Sequence, residues 1–324
     1  MLKVYLTIDT EYSSGLVEGV SAIDRAENYA RSIACITPEG PAGLSHKLEL
    51  LEKYQQKAVF FVDPMPALIW GVAAIEDIVA PIIEAGQDVQ LHLHTEWLEL
   101  AGNANPLRGK TGHNIADFTF DEQCELIAYA RDTLAAAGAP APVAFRAGNY
   151  GANDDTLRAL RQAGMTYDSS HCPAIADGYC RITLTPDDLS PVMHCGMVEV
   201  PVGSIAAVGG GQRHAQITAL SLREMTAAIR HARDSGRQEF TLVSHSFELI
   251  NRRKLAVNRI VRNRFEGLCR NLKKMRRVVT ANYRDDPPQV APPHVELELL
   301  PPDPVRTGLR MAEQMVSNTL YGAL

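Results

Sequence analysis

The sequence predicts an α/β fold with parallel strands closed, or nearly closed, into a barrel. Three observations carry this expectation. Short apolar, β-branched runs alternate with longer stretches of helical periodicity, as βα units require. Seven such runs occur, which favours a barrel over an open sheet. Polar groups able to do chemistry follow directly on the strands, the end at which α/β folds build their sites. They are Asp9, Glu11, His92, His94, Arg146, Asp168 and His245.

The elements follow in order. Leu2 to Asp9 reads as the first strand, ending in Asp9-Thr10-Glu11. Residues 12–41 are polar and punctuated by Gly and Pro, a long loop containing a short helix. Ser45 to Tyr54 carries apolar residues at helical spacing. Ala58 to Val62 is a buried strand, and Ala67 to Ala85 an apolar helix stopped by Gly86. Asp88 to His94 is the next strand. Residues 97–118 form a long surface loop beside its end. Thr119 and Glu122 form a capping box for a helix to about Ala137, and Ser221 with Glu224 form a second for a helix to about Arg233. Between these helices, Val143 to Phe145, Met165 to Tyr167 and Met197 to Val202 are strands, and Asp154 to Ala163 is a helix ended by Gly164. Phe240 to Ser244 is the last strand and delivers His245. Residues 247–279 read as a long helix broken once. The proline-rich stretch 285–304 is extended, and 306–322 forms a final helix. The expected division is a barrel over residues 1–284 and a strap with a short helix over 285–324.

At 324 residues the chain can bury a large core. A net charge of -6 argues against a nucleic-acid-binding surface. No apolar run is long enough for a membrane span. The first residues, MLKVYLTID, read as a strand rather than a signal peptide. Six cysteines without framework spacing favour reduced thiols in a cytosol. The expected location is therefore cytoplasmic, with peripheral contact at the inner membrane surface as a variant.

The stretch QLHLHTEW concentrates the chemistry. In a strand, alternate side chains share a face, so His92 and His94 point the same way and form a ready pair of metal ligands. Asp9 and Glu11 have the same spacing on the first strand. Two acids and two histidines at one rim could hold a divalent ion and leave one acid free. Arg146 could orient a carboxylate, Gly148 and Gly151 allow tight turns, and His245 could act as a general acid. Each group taken alone is as well explained by a loop cap, an ion pair or a core histidine.

In their order, LTIDTE, VQLHLHTEW, FRAGNYG, YDSS and LVSH resemble the motifs of the polysaccharide deacetylase (NodB-homology) family, over roughly residues 1–250. The branch is divergent and similar to deacetylases of bacterial surface-polysaccharide biosynthesis. The resemblance implies a distorted seven-stranded (β/α) barrel and a sugar N-deacetylase, a hydrolase acting on linear amide C–N bonds. It implies Asp9 as catalytic base, Arg146 steadying that base and Asp168 bracing the arginine. His245 is implied as the acid for the leaving amine. It implies one divalent metal, expected to be Zn2+, on Glu11, His92 and His94, with Glu96 as an alternative ligand because it lies four residues after His92. Asn149, Tyr150 and Trp97 are the expected substrate-binding residues. Where the family commonly has a second Asp, this chain has Thr10, and the Pro usual in the arginine motif is absent.

The expected partner is an N-acetylated sugar: polymer, lipid-linked or nucleotide-linked. Residues 252–277 hold eleven Lys or Arg among apolar positions. They read as a basic helix, either with a solvated outer face or facing an anionic partner. No nucleic-acid partner is expected, and an oligomer is allowed. Two other readings remain. One is an amidohydrolase- or phosphoesterase-type metal hydrolase, with His113, His171, His194 or His214 completing a dinuclear site. The other is a non-catalytic carbohydrate-binding protein on the same fold. A structural zinc among His171, Cys172, Cys180, His194 and Cys195 matches no familiar module.

Overall fold

The computed structural model describes residues 1–18, 22–175, 178–291 and 297–322. Seven parallel strands run in chain order around a curled sheet: β1 (Leu2–Thr10), β2 (Val59–Val62), β3 (Asp88–Leu93), β4 (Ala144–Ala147), β5 (Tyr167–Asp168), β6 (Met197–Glu199) and β7 (Glu239–His245). β7 returns to pair with the other edge of β1, in a register that sets Asp9 opposite His245. β8 (Val278–Thr280) pairs with the start of β1, and a short antiparallel strand, Val192–His194, edges β6.

β6 and β7 are not joined as a ladder. The chain after β6 bridges the gap, where Gly203 N–H donates to the Thr241 carbonyl at 3.0 Å and Val243 N–H to the Ala215 carbonyl at 2.9 Å. A Cβ on Gly203 would lie 2.6 Å from that Thr241 oxygen, so glycine permits the closure. The predicted barrel is therefore present, closed on this side by loop backbone.

Strand alternation sorts the side chains. Leu2, Val4, Leu6 and Ile8 of β1 face the helices, as do Val89, Leu91 and Leu93 of β3. Tyr5 belongs instead to a separate cluster with Val59, Phe61 and Ala144. There the rings of Tyr5, Phe61 and Tyr167 meet Tyr283 at centroid distances of 5.2, 5.9 and 5.5 Å, an aromatic floor inside the barrel. The positions continuing this inner face of β1 are Thr7, Asp9 and Glu11, and those of β3 are Gln90, His92 and His94.

The outer helices are α1 (Arg25–Ser32), α2 (Leu44–Tyr54), α3 (Ala73–Glu84), α4 (Phe120–Ala136), α5 (Asp154–Gln162), α6 (Leu222–Asp234), α7 (Arg259–Lys274) and α8 (Pro304–Tyr321). Both anticipated capping boxes form, Thr119 with Glu122 and Ser221 with Glu224. The single helix expected over 67–85 is broken by Gly71 at φ 73°, leaving one turn, Ala67–Trp70, before α3.

The larger departure lies in 247–279. Residues 252–258 are not helical: Ile250–Asn251 and Ala256–Val257 form an antiparallel hairpin, and only α7 carries the helical pattern. α7 buries Val261, Phe265, Leu268 and Leu272 against the core, and its Arg264 pairs with Glu313 of α8 at 3.0 Å. The basic helix is thus a packed helix, and Arg252 and Arg253 sit elsewhere, on the hairpin. The proline-rich strap crosses the start of β1, where Tyr5 and Lys3 donate to the carbonyls of Asp286 and Pro287. Residues 292–296 of it lie outside the described residues.

Candidate active site

Six of the seven predicted groups gather at the C-terminal rim of the strands in two linked sets, and Asp168 stands apart from both. In the first, Glu11 Oε2 lies 3.2 Å from His92 Nε2 and 2.7 Å from His94 Nε2. The far nitrogen of each ring is engaged. His92 Nδ1 sits 2.7 Å from the Arg146 carbonyl, and His94 Nδ1 sits 3.1 Å from Glu96 Oε2. A carbonyl can only accept, so His92 carries its proton on Nδ1 and turns the Nε2 lone pair toward Glu11. Glu96 orients His94 in the same sense. One carboxylate oxygen and two imidazole nitrogens therefore converge, all within 4.8 Å of one another. This donor set, with its outer hydrogen bonds, fits a divalent cation.

The sequence offers Glu96 as an alternative ligand. Here it does not join the convergent atoms but stands behind His94, with its other oxygen accepting from Asn149 at 2.9 Å. Burial opposes ionisation of Glu96, but its hydrogen bonds, from His94 first and from Asn149 as well, prevail and bring its pKa down to about 2. Gly148 packs against the same ring, and a Cβ there would lie 2.6 Å from His94 Nδ1.

The second set is built on Asp9. Its Oδ1 accepts from Arg146 Nη1 at 2.7 Å, a pair with side chains 4% and 0% exposed. Arg146 also donates to Thr7 Oγ1 and to the carbonyl and hydroxyl of Ser169, and its guanidinium stacks 4.4 Å from the Phe61 ring. All of these hold it rigid, so Asp9 is fixed in turn. The expected brace, Asp168, is not among these partners. It accepts from the Ser170 N–H and hydroxyl and lies opposite Glu199 on β6. Burial of both, then the Asp168 charge, hold Glu199 well above the usual carboxylate range, so it keeps its proton. Asp168 is one residue out of reach, and Ser169 takes its place.

The other oxygen of Asp9 faces His245 Nε2 at 3.8 Å, beyond a hydrogen bond. His245 Nδ1 sits 3.1 Å from Glu248 Oε1. Burial disfavours the imidazolium, but the Glu248 hydrogen bond and charge, with Asp9 and Glu11 behind them, push its pKa up to about 9. A protonated imidazole therefore faces a fixed carboxylate across a gap.

Sequence reasoning missed Glu248, Lys47 and Asp63. Lys47 is fully buried and donates to Ser244 Oγ at 2.6 Å, which donates to Glu248 Oε2 at 3.0 Å. Asp63 follows β2 and accepts from the His94 N–H at 3.3 Å. The signals were available: an acid three residues after His245, and an acid directly after the apolar run VFFV. Lys47 gave none, since a lysine on an amphipathic helix reads as solvated.

Trp97 is not at the rim. It is 1% exposed and packs edge-on to Trp70 at 5.4 Å, because the chain turns inward after Glu96. Asn149 is exposed at the rim and Tyr150 half-buried, both at positive φ (56° and 57°). Of the other histidines, His113 approaches Glu96 at 3.9 Å. His171 and His214 are bonded to the Thr185 carbonyl and Gln216, and His194 groups with Asp154 and Cys195. Cys172 and Cys180 do not join that group.

No family model and no curated protein matches the chain. Solved structures do. A Mycobacterium smegmatis protein assigned as a polysaccharide deacetylase aligns with a TM-score of 0.54 at 16% identity, over 91% of this chain and 95% of that one. A family 4 carbohydrate esterase from Streptomyces lividans aligns at 0.43 and 11% identity, over 92% and 97%. A 4-alpha-glucanotransferase from Thermococcus litoralis aligns at 0.49 and 10% identity, over 87% and 39%. The first likeness establishes a shared fold, and at this identity the fold alone.

Proposed function

We propose that this chain, whose barrel is of the polysaccharide-deacetylase type, is a metal-dependent hydrolase. In this reading it removes N-acetyl groups from an amino sugar of a bacterial polysaccharide or its precursor. One observation carries the reading: Glu11, His92 and His94 converge beside an Arg146-held Asp9, which in turn faces a protonated His245. The reading includes a cytoplasmic location, in keeping with six cysteines that lack framework spacing.

Glu11, His92 and His94 would hold the cation, with zinc as the proposed ion, and Glu96 and the Arg146 carbonyl orient the rings. A divalent cation bound there supplies Lewis-acid polarisation of the acetyl carbonyl and of a water. The chain's own groups do the rest. Arg146 pins Asp9 Oδ1 and leaves Oδ2 to accept a proton from the attacking water. His245 gives its Nε2 proton to the sugar nitrogen as the C–N bond breaks, and acetate and a free amine leave. Glu248 keeps that proton on His245 at neutral pH. In this reading a backbone N–H near Tyr150 would face the developing oxyanion.

The test is metal analysis of the purified protein, coupled to acetate release from a panel of N-acetylated sugars. One equivalent of metal and metal-dependent acetate release are expected. Two metals per chain would favour the phosphoesterase-type alternative. Sugar binding with neither metal nor acetate would favour the non-catalytic one.

A further inference from the structure

A cavity of about 780 Å³ opens beside His245. Its walls carry Arg31, Arg252, Arg253 and the His245 imidazolium, against the carboxylate of Glu248. Glu248 is already committed to His245, Ser244 and Gln216. The cavity is thus cationic in a chain whose net charge is -6.

Arg252 is the telling residue. Its guanidinium stacks 4.1 Å from the Phe247 ring, and Phe247 stacks on His245 at 5.3 Å. Among the described residues no carboxylate comes within ion-pair distance of it; the acid that bears on it is Glu11 of the site. The loop that carries Arg252 is built rather than trailing. Ile250 and Val257 of the hairpin are buried with Cys35 and Ala42. On the facing wall, Arg31 pairs with Glu27 through one nitrogen, while its Nε is buried without a partner. A half-buried guanidinium without a carboxylate partner, as Arg252 is, stands poised for an anion beside the reaction centre, because its planar N–H fork matches phosphate and carboxylate oxygens; Arg31 adds one N–H that Glu27 leaves free.

We propose that this cavity binds an anionic group of the substrate, a phosphate or a carboxylate carried on the amino sugar, with Arg252 as its main contact. The acetamido group then reaches Asp9 and His245 while the anion lies against Arg252 and Arg31. Ser13, Thr218 and Asn251 also line the cavity and offer partners for sugar hydroxyls. This rests on the deacetylase reading for the acetamido end, and on the cavity alone for the anion.

The test is calorimetric binding to the full-length, metal-loaded protein. The probes are N-acetylglucosamine, its 1-phosphate, and N-acetylmuramic acid, which carries a carboxylate. At least one anionic sugar should bind about tenfold or more tightly than the neutral one, and which one identifies the anion. Arg252→Ala should erase that advantage, with circular dichroism and metal content checking that the variant is folded. Neither anionic sugar binding better than the neutral one, undetectable binding included, overturns the proposal. So does an advantage that survives in a folded Arg252→Ala. Acetate release is read separately: an Arg252-dependent anion preference without acetate release from any sugar would remove the deacetylase reading and leave the anion site standing.

Discussion

Glu248 holds His245 from three residues downstream, with its Oε1 3.1 Å from His245 Nδ1, and this contact sets the charge of the proposed acid. The folded pKa of His245, about 9, lies above the ordinary value of 6.5. The contact therefore contributes stability that is full below 6.5 and lost as pH rises through 9. Glu248→Gln keeps the shape and removes the charge. Its alkaline limb of kcat/KM should move from near pH 9 toward about 6.5, with activity about tenfold lower at pH 8 and close to wild type at pH 6. A pH–rate profile measures this, and an unmoved limb would deny His245 the role of acid.

Asp9 and Glu11 stand two residues apart, yet the geometry separates their tasks. Asp9→Asn should lower acetate release by about a thousandfold or more while the protein still binds its metal. Glu11→Gln and His92→Ala should lose the metal itself. Metal content measured beside activity distinguishes the two groups. Asp9→Asn also leaves Arg146 as a buried charge without its carboxylate, so its melting temperature should fall.

Gly148 gives a test of the ring behind the proposed cation. Gly148→Ala places a methyl against His94 and should displace it from Glu96. The expected result is metal affinity about 10- to 100-fold weaker, with an unchanged far-ultraviolet spectrum. Chelator competition reads the affinity, and wild-type affinity in the variant would mean that His94 does not hold the ion.

Lys47 is a buried amine whose pKa is brought down to about 8 by burial, against the pull of Glu248. Its unfolded value is 10.5, so the unfolded chain binds more protons between those limits. The lysine's contribution to stability therefore rises with pH from 8 to 10.5. Lys47→Met should remove that rise. Relative to wild type, the variant should lose about 3 kcal/mol as pH goes from 8 to 10.5, read from urea unfolding at each pH.

The sequence determined which faces and which strand ends carry the chemistry, because strand alternation is local. Asp9 and Glu11 share a face, as do His92 and His94, wherever the strands lie. The βα alternation determined the barrel, and the Ser/Thr–Glu spacings determined two helix starts. Partnership was left to the tertiary structure. Glu96 could be ligand or brace until folding put it on the far nitrogen of His94. Asp168 gave way to Ser169 because the Arg146 fork meets the residue just past the end of β5, while Asp168 accepts from Ser170. Trp97 left the rim because its chain turns into the core, where a large aromatic belongs; Lys47 broke the residue-type rule outright, because Ser244, backed by Glu248, receives its ammonium there. Arg252 and Arg253 read as one face of a helix; the hairpin that puts them beside His245 depends on Ile250 and Val257 packing against Cys35 and Ala42, two hundred residues away. Periodicity fixes the direction of a side chain along its own element, whereas the group it meets is decided by contacts between segments remote in the chain.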